Sequence, residues 1–240
     1  MNRFQCREID LLGIPVEYEV RHSADATDPR IDIDIHGVTV VIPEAEDVQP
    51  TKLLEENAAW VIEKQRNYDS YREQAPDRNF EAGNYFPYLG TDRELVIESC
   101  RRHEITENSI RLRQCAVEQS SVKQVLENFY RSHARNHLTD RVDQYANRMD
   151  VGYKTLELRN QRTRWGSCST NGTISLNWRL IMAPPEIVDY LVVHELAHLT
   201  EQHHKREFWQ LVGEYVTDYK AKAEWLEKNS ARLIFDEDDL

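Results

Sequence analysis

His194, Glu195 and His198 stand in the run Leu191-Val192-Val193-His194-Glu195-Leu196-Ala197-His198-Leu199. Four residues along an α-helix rotate the chain by about 40° beyond one full turn and advance it about 6 Å. Two histidines at that spacing project from one face and can meet at one ion. Glu195 lies about 100° from His194, near enough to address a water on that ion without being an obvious ligand. One helical turn thus offers two metal ligands and a general base, the arrangement of zinc-dependent hydrolysis. The flanking residues are uncharged, as a buried helix requires, and a carboxylate buried there without a role or partner would be costly. A chance coincidence on a surface helix would not be apolar on so many sides.

A catalytic zinc needs a third protein ligand and keeps one position for water. Glu201, His203 and His204 are the candidates just downstream. Glu201 would stay on the same face if the helix continued. Either histidine reaches back only if the helix ends near Leu199–Gln202 and the chain turns. Spacing alone leaves the three open.

The elements that must position these groups are readable in part. Ile14, Val16, Tyr18 and Val20 alternate with polar or turn residues, as do Ile31, Ile33 and Ile35, and Val38–Ile42 follows Gly37. Period two with one polar face predicts an antiparallel sheet with a wet side. A helix is expected from about Val48 to Arg72, with Leu53, Leu54, Asn57, Trp60, Val61 and Lys64 on a partly apolar face. Residues 73–84 read as a loop, and short strands are expected near Tyr88-Leu89-Gly90, Glu94–Glu98 and Ser109–Leu112. A long amphipathic helix is expected over Val122–Arg148. Thr155–Leu158 and Thr173–Leu176 read as strands, the second opened by an Asn171-Gly172 turn. Pro184 and Pro185 start the helix that carries the histidines, where a missing amide is tolerated. Two more helices follow, anchored by Phe208, Trp209, Leu211, Val212, Tyr215 and Val216, and by Trp225 and Leu226. The end, Asp236-Glu237-Asp238-Asp239, reads as a solvated acidic tail.

The chain has 240 residues and a formal net charge of -12. That charge speaks against broad attraction to nucleic acid or anionic membrane, without excluding a local basic patch such as Arg159, Arg162 and Arg164. No window approaches the roughly 20 apolar residues of a membrane span, and the first residues carry no apolar signal core, so a cytoplasmic location is expected. The four cysteines, Cys6, Cys100, Cys115 and Cys168, form no Cys-x-x-Cys pair, and a disulfide scaffold is not expected. Cys168 reads as a small buried thiol rather than a ligand or nucleophile. His133 and His137 repeat the four-residue spacing, but no glutamate follows His133.

Two blocks carry a family resemblance. Asp189-Tyr190-Leu191-Val192-Val193-His194-Glu195-Leu196-Ala197-His198-Leu199, with His204 and Phe208-Trp209, is one. Arg164-Trp165-Gly166-Ser167-Cys168-Ser169, followed by Gly172, Ile174, Leu176, Asn177, Trp178 and Leu180, is the other. Together they resemble the YgjP-like family of metal-dependent hydrolases, which is zincin-like and more distantly similar to SprT-like and Wss1-like proteases. The resemblance runs over most of the chain. It implies His204 as the third zinc ligand, although His203 and Lys205 depart from the Asn and Ser that flank this histidine in the family pattern. The expected fold is α+β, in which a β-rich N-terminal lobe over residues 1–118 packs on a zincin-like helical lobe with a small sheet over residues 119–240.

The expected activity is a zinc hydrolase, most simply a metallopeptidase, using a zinc-bound water activated by Glu195 on a peptide or protein substrate. A hydrolase of a non-peptide amide or ester, and a SprT-like zinc module in DNA processing, are the alternatives. For the second block, the strands around Leu156–Leu158 and Ile174–Leu176 could flank the cleft as an edge strand holds a peptide, with Arg162, Arg164 or a backbone amide near Gly166 aiding an oxyanion. A tight turn with Trp165 buried is the competing reading. Arg164, Trp165, Gly166 and Tyr190 are the candidate substrate contacts. Tyr190 sits one turn before His194 and is equally suited to the core. Oligomeric state is not legible.

Overall fold

The structure, a computed structural model, describes residues 6–236 apart from 25, 35, 47, 74, 75, 162 and 163. Ile35, Arg162 and the tail beyond Asp236, named above, lie outside the described residues. The chain is α+β, and among the described residues no helix is long and apolar enough to cross a membrane. It divides into two compact units: Met1–Ala75 with Ser230–Arg232 and Leu240, and Pro76–Asn229 with Leu233–Asp239.

In the first unit, β1 (Arg7–Leu11), β2 (Ile14–Ser23), β3 (Arg30–Asp34) and β4 (Gly37–Pro43) form a sheet in the order β1-β2-β4-β3. It is mixed: β2 and β4 run parallel and the other two pairs antiparallel. Val16, Tyr18, Val38, Val40 and Ile42 turn inward at period two against Leu54, Ala58, Val61 and Ile62 of α1 (Pro50–Glu56) and α2 (Ala58–Arg72). The single helix expected over 48–72 is therefore two. Asn57 leaves helical geometry (φ -114°, ψ 17°), and its side-chain amide donates to the Leu53 carbonyl at 2.8 Å, competing with the helix ladder. Trp60, placed on the apolar face by its spacing, is 43% exposed.

The second unit begins with β5 (Tyr85–Tyr88), β6 (Thr91–Glu98), β7 (Glu104–Ile105) and β8 (Ser109–Arg113), in the order β5-β6-β8-β7. Tyr88 closes β5, and Leu89-Gly90 form the hairpin turn rather than a strand, with φ of 49° and 77°. Gly90 is also required by space: a Cβ there would lie 2.9 Å from the Pro184 backbone. After the short α3 (Gln114–Gln119), α4 (Val122–Met149) starts at Ser121, whose hydroxyl accepts from the Gln124 amide at 3.2 Å. Leu126, Tyr130, Ala134, Leu138 and Val142 form its buried stripe. These side chains share one core with Phe86, Leu95, Ile110 and Leu112 of the sheet and with the helix that carries the histidines.

The third sheet has the order β10-β11-β9, from β9 (Thr155–Arg159), β10 (Gly166–Cys168) and β11 (Thr173–Asn177). β11 pairs parallel with β9 and antiparallel with β10. A 3-10 turn over Trp178–Met182 leads to α5 (Pro185–Ala197), then α6 (Arg206–Tyr215) and α7 (Tyr219–Asn229). Arg141 of α4 grips Asp189 of α5 with two hydrogen bonds of 2.6 and 2.7 Å. This planar, two-pronged pairing fixes the rotation of α5 about its axis.

Candidate metal centre

α5 is apolar because it is buried on most sides: Ile187, Val188, Leu191, Val192, Val193, Leu196 and Ala197 are all core residues. His194 and His198 leave it on one face, with ring centroids 5.1 Å apart. The helix ends at Ala197, His198 takes the cap position, and the chain turns through 199–205 into α6. That break brings His204 back over the helix. One nitrogen from each of His194, His198 and His204 lies within 4.8 Å of the others, and the Nε2 atoms of His194 and His204 are 3.1 Å apart. Glu201 and His203 do not join this group. The backbone carbonyl of Glu201 serves it instead, 3.2 Å from His198 Nδ1. A carbonyl can only accept, so that Nδ1 carries the proton and Nε2 presents its lone pair.

The three imidazoles rest on Phe208, which is fully buried and has centroids 5.0, 4.6 and 4.7 Å from His194, His198 and His204. Burial, then the neighbouring His198 and His204, hold His194 down to about 3. Burial and His204 hold His198 down, and burial and His203 do the same for His204. All three are therefore neutral lone-pair donors at physiological pH, the form a metal requires. Tetrahedral zinc with Zn–N bonds of about 2.0–2.1 Å would set its nitrogens about 3.3 Å apart. The donor set fits a metal ion, and the 3.1 Å between the Nε2 atoms of His194 and His204 is close to that spacing. His194 Nδ1 is buried with no hydrogen-bond partner among the described residues.

Glu195 is 4% exposed. Burial pushes its carboxyl up to about 8, opposed by the positive charge of Arg164. Gly166 presses directly on it: a Cβ at that position would lie 2.5 Å from Glu195 Oε1 and 2.8 Å from Cδ. The glycine is there because the strand backbone occupies the space beside the carboxylate.

A cleft of about 330 Å³ opens over these groups, lined by Gly166, Ser167, Cys168, Ser169 and Thr170 on one side. His194, Glu195, His198, Gln202 and His204 line the other. The strand on its rim is β10, not the β9 and β11 pair expected to flank the cleft. β9 lies across the sheet, on the far side of β11. The Asn177 amide donates to the Trp165 carbonyl (2.8 Å), and the Ser169 amide donates to the Thr173 carbonyl (2.9 Å). Alternation then turns the amides and carbonyls of Gly166 and Cys168 away from β11, onto the open edge.

Of the four candidate substrate contacts, Gly166 lines the cleft. Trp165 is half-buried against the core, neither in a buried turn nor in the cleft lining. Arg164 is exposed and acts on Glu195 through its charge. Tyr190 is buried, edge-on to His194 at 5.9 Å, and burial and the Glu195 charge push its phenol up to about 12. Cys168 is half-buried, and burial and Glu195 raise its thiol to about 11, the reverse of an activated nucleophile. Ser167, Ser169, Thr170 and Gln202 were not singled out by sequence. The available signal was the Asn171-Gly172 turn, which requires a strand before it as well as after it.

An α+β chain with three histidines and a buried glutamate around one cleft has the parts of a metallohydrolase. The YgjP-like family, described as a metallopeptidase domain, matches residues 27–229, and the chain belongs to it. It is thus a metal-dependent hydrolase by family. No curated protein matches the chain. Among solved structures, the metallopeptidase zymogen of Pyrococcus abyssi abylysin is similar, with 20% identity and a TM-score of 0.34 over 40% of this chain and 99% of that one.

Proposed function

We propose that this protein is a zinc metallopeptidase in which His194, His198 and His204 hold the ion and Glu195 is the acid–base group. The observation that carries this reading is the convergence of three neutral imidazoles beside a buried carboxyl, under an open strand edge. A bound zinc ion supplies a Lewis acid that polarises the scissile carbonyl and lowers the pKa of water toward about 7.

The chain's own residues account for the rest. The amides and carbonyls that Gly166 and Cys168 turn to the β10 edge pair with an extended peptide backbone, adding a strand there. This favours a peptide over a small amide or ester. Glu195, in its ionised form, accepts the proton of the attacking water at Oε and returns it to the leaving amine. Gly166 holds that carboxylate at one side and leaves it no room to swing toward the strand. His198 keeps a single tautomer through Glu201. A cytoplasmic setting is part of this proposal.

The test is metal analysis of the purified chain together with product analysis on unbiased peptide and metabolite pools, for the wild type and Glu195→Gln. One zinc per chain, with peptide cleavage abolished by the substitution, supports the reading. A zinc-loaded protein that cleaves no peptide, or an unaffected Glu195→Gln variant, overturns it. Turnover confined to the metabolite pool would establish the amide or ester alternative.

A further inference from the structure

His204 is the exposed member of the three histidines and the one not placed by α5. A metal-ligating histidine is ordinarily steered by a hydrogen bond from its second ring nitrogen. His198 has such a bond, to the Glu201 carbonyl. Among the described residues, the one polar contact of His204 is that between its Nε2 and His194 Nε2. What steers it is a wall of rings. Its imidazole stacks on the indole of Trp209 with centroids 5.6 Å apart and planes 24° apart, and meets Phe208 edge-on at 4.7 Å. Trp209 itself stacks on Tyr219, the first residue of α7, at 5.1 Å and 12°.

A lone pair on Nε2 lies in the plane of its ring, so whatever sets the ring plane sets where the lone pair points. The terminal torsion of a histidine is broad and two-fold when nothing restrains it. From a connecting segment, that freedom would scatter the lone pair away from the other two nitrogens. A flat indole against the imidazole removes it. Trp209 is half-buried while Phe208 beside it is fully buried, so the apolar anchor of α6 is Phe208. That leaves the indole of Trp209 against the histidines, stacked on His204 and tilted by 57° to His194 at 5.7 Å.

We infer that Trp209, backed by Tyr219, is a positioning residue of the metal centre, holding the ring plane of His204. The inference rests on the proposed zinc site. Its test measures affinity rather than turnover. Zinc is titrated against a chromophoric chelator with the full chain as wild type, Trp209→Phe, Trp209→Leu, His204→Ala and the Trp209→Leu/His204→Ala double variant. Thermal melts of the metal-free proteins are run alongside.

Trp209→Leu should weaken zinc binding about 10–100-fold, the usual cost of losing an outer-shell partner. Trp209→Phe, which keeps a flat ring, should stay within about threefold of the wild type. The double variant should bind no more weakly than His204→Ala alone, because Trp209 acts through His204. Equal affinity of Trp209→Leu and wild type, or losses that add in the double variant, overturn the inference. If Trp209→Leu does not fold, Tyr219→Leu replaces it, with a loss in the same direction expected and unchanged affinity overturning the inference. Failure of the wild type itself to bind zinc is seen before any variant is made, and removes the underlying site as well.

Discussion

α4 and α5 each carry two histidines four residues apart, and the structure treats the two pairs differently. On α5, His194 and His198 meet a third imidazole from a segment beyond the helix, with Glu195 between them. On α4, His133 is engaged elsewhere: its Nδ1 lies 3.2 Å from the Tyr88 hydroxyl, and its ring packs on Phe129 at 4.3 Å. His137 has a buried Nε2 without a hydrogen-bond partner among the described residues, and burial and the adjacent Arg141 hold its pKa down. A guanidinium at that point also repels a dication. Among the described residues, only the α5 pair belongs to a cluster of three potential ligands. The lesson is that i, i+4 spacing permits a metal site and does not create one. A third ligand from another segment, and the absence of a competing cation, decide.

The comparison can be broken most sharply at the carboxylate. Glu195→Gln should lower peptide turnover by about 10²–10⁴-fold while zinc content is kept, because only the proposed proton shuttle is removed. His133→Asn and His137→Asn, assayed in parallel for metal and turnover, should leave both unchanged. Loss of metal from either α4 variant would erase the distinction between the two helices. His204→Ala should cost more affinity than the roughly 10–100-fold typical of an outer-shell change, with His203→Ala indistinguishable from wild type. Metal analysis of the two side by side decides which histidine completes the α5 pair.

Gly166→Ala should lower turnover on the order of 10²-fold at full zinc occupancy, since its methyl would collide with Glu195 and displace a reacting group by a fraction of an ångström. Normal turnover in a correctly folded Gly166→Ala protein would show that β10 does not constrain the carboxylate.

The smallest effect concerns a second perturbed carboxyl, outside the site. Burial, the largest influence, pushes Asp34 up to about 6 from 3.8, although its carboxylate accepts from the His36 amide at 2.8 Å. The folded state therefore binds this proton more tightly than the unfolded chain does. The stability it contributes is fully present below about pH 4 and is lost as pH rises through about 6. Asp34→Asn should stabilise the first unit by about 1 kcal/mol at pH 7, after allowance for solvent screening, and by nothing below pH 4. Denaturant titrations at the two pH values check this, with turnover expected to be unchanged. A raised carboxyl pKa thus marks burial in both units and a site only where ligands surround it.

Much of the fold could be read from periodicity. α4 spans Val122–Met149 against the expected 122–148, and β2, β3 and β4 lie where alternation put them, whereas β1 was not expected and the sheet is mixed rather than antiparallel because β2 and β4 run parallel. The misreadings have local causes. Asn57 interrupts a helix through its own side chain, a competition that apolar spacing does not register. Leu89-Gly90 looked like strand because Leu89 is apolar, whereas both residues take positive φ in a hairpin turn. β10 is three residues long, with no alternation to detect, and its pairing with β11 is what makes it a strand.

At the metal centre the division is the same. The sequence by itself determined His194, Glu195 and His198 as a unit, because the pitch of a helix is local and needs no distant partner. It also determined that this helix is buried, through its uncharged flanks. Residue spacing left Glu201, His203 and His204 open, and family resemblance pointed to His204; the tertiary structure ends the helix at Ala197, swings His204 back over it and lays Trp209 against that ring. It alone brought the Gly166 backbone against the Glu195 carboxylate, across 29 residues of chain. These contacts depend on how turns and sheet edges aim segments far apart in sequence, and no residue spacing encodes that direction.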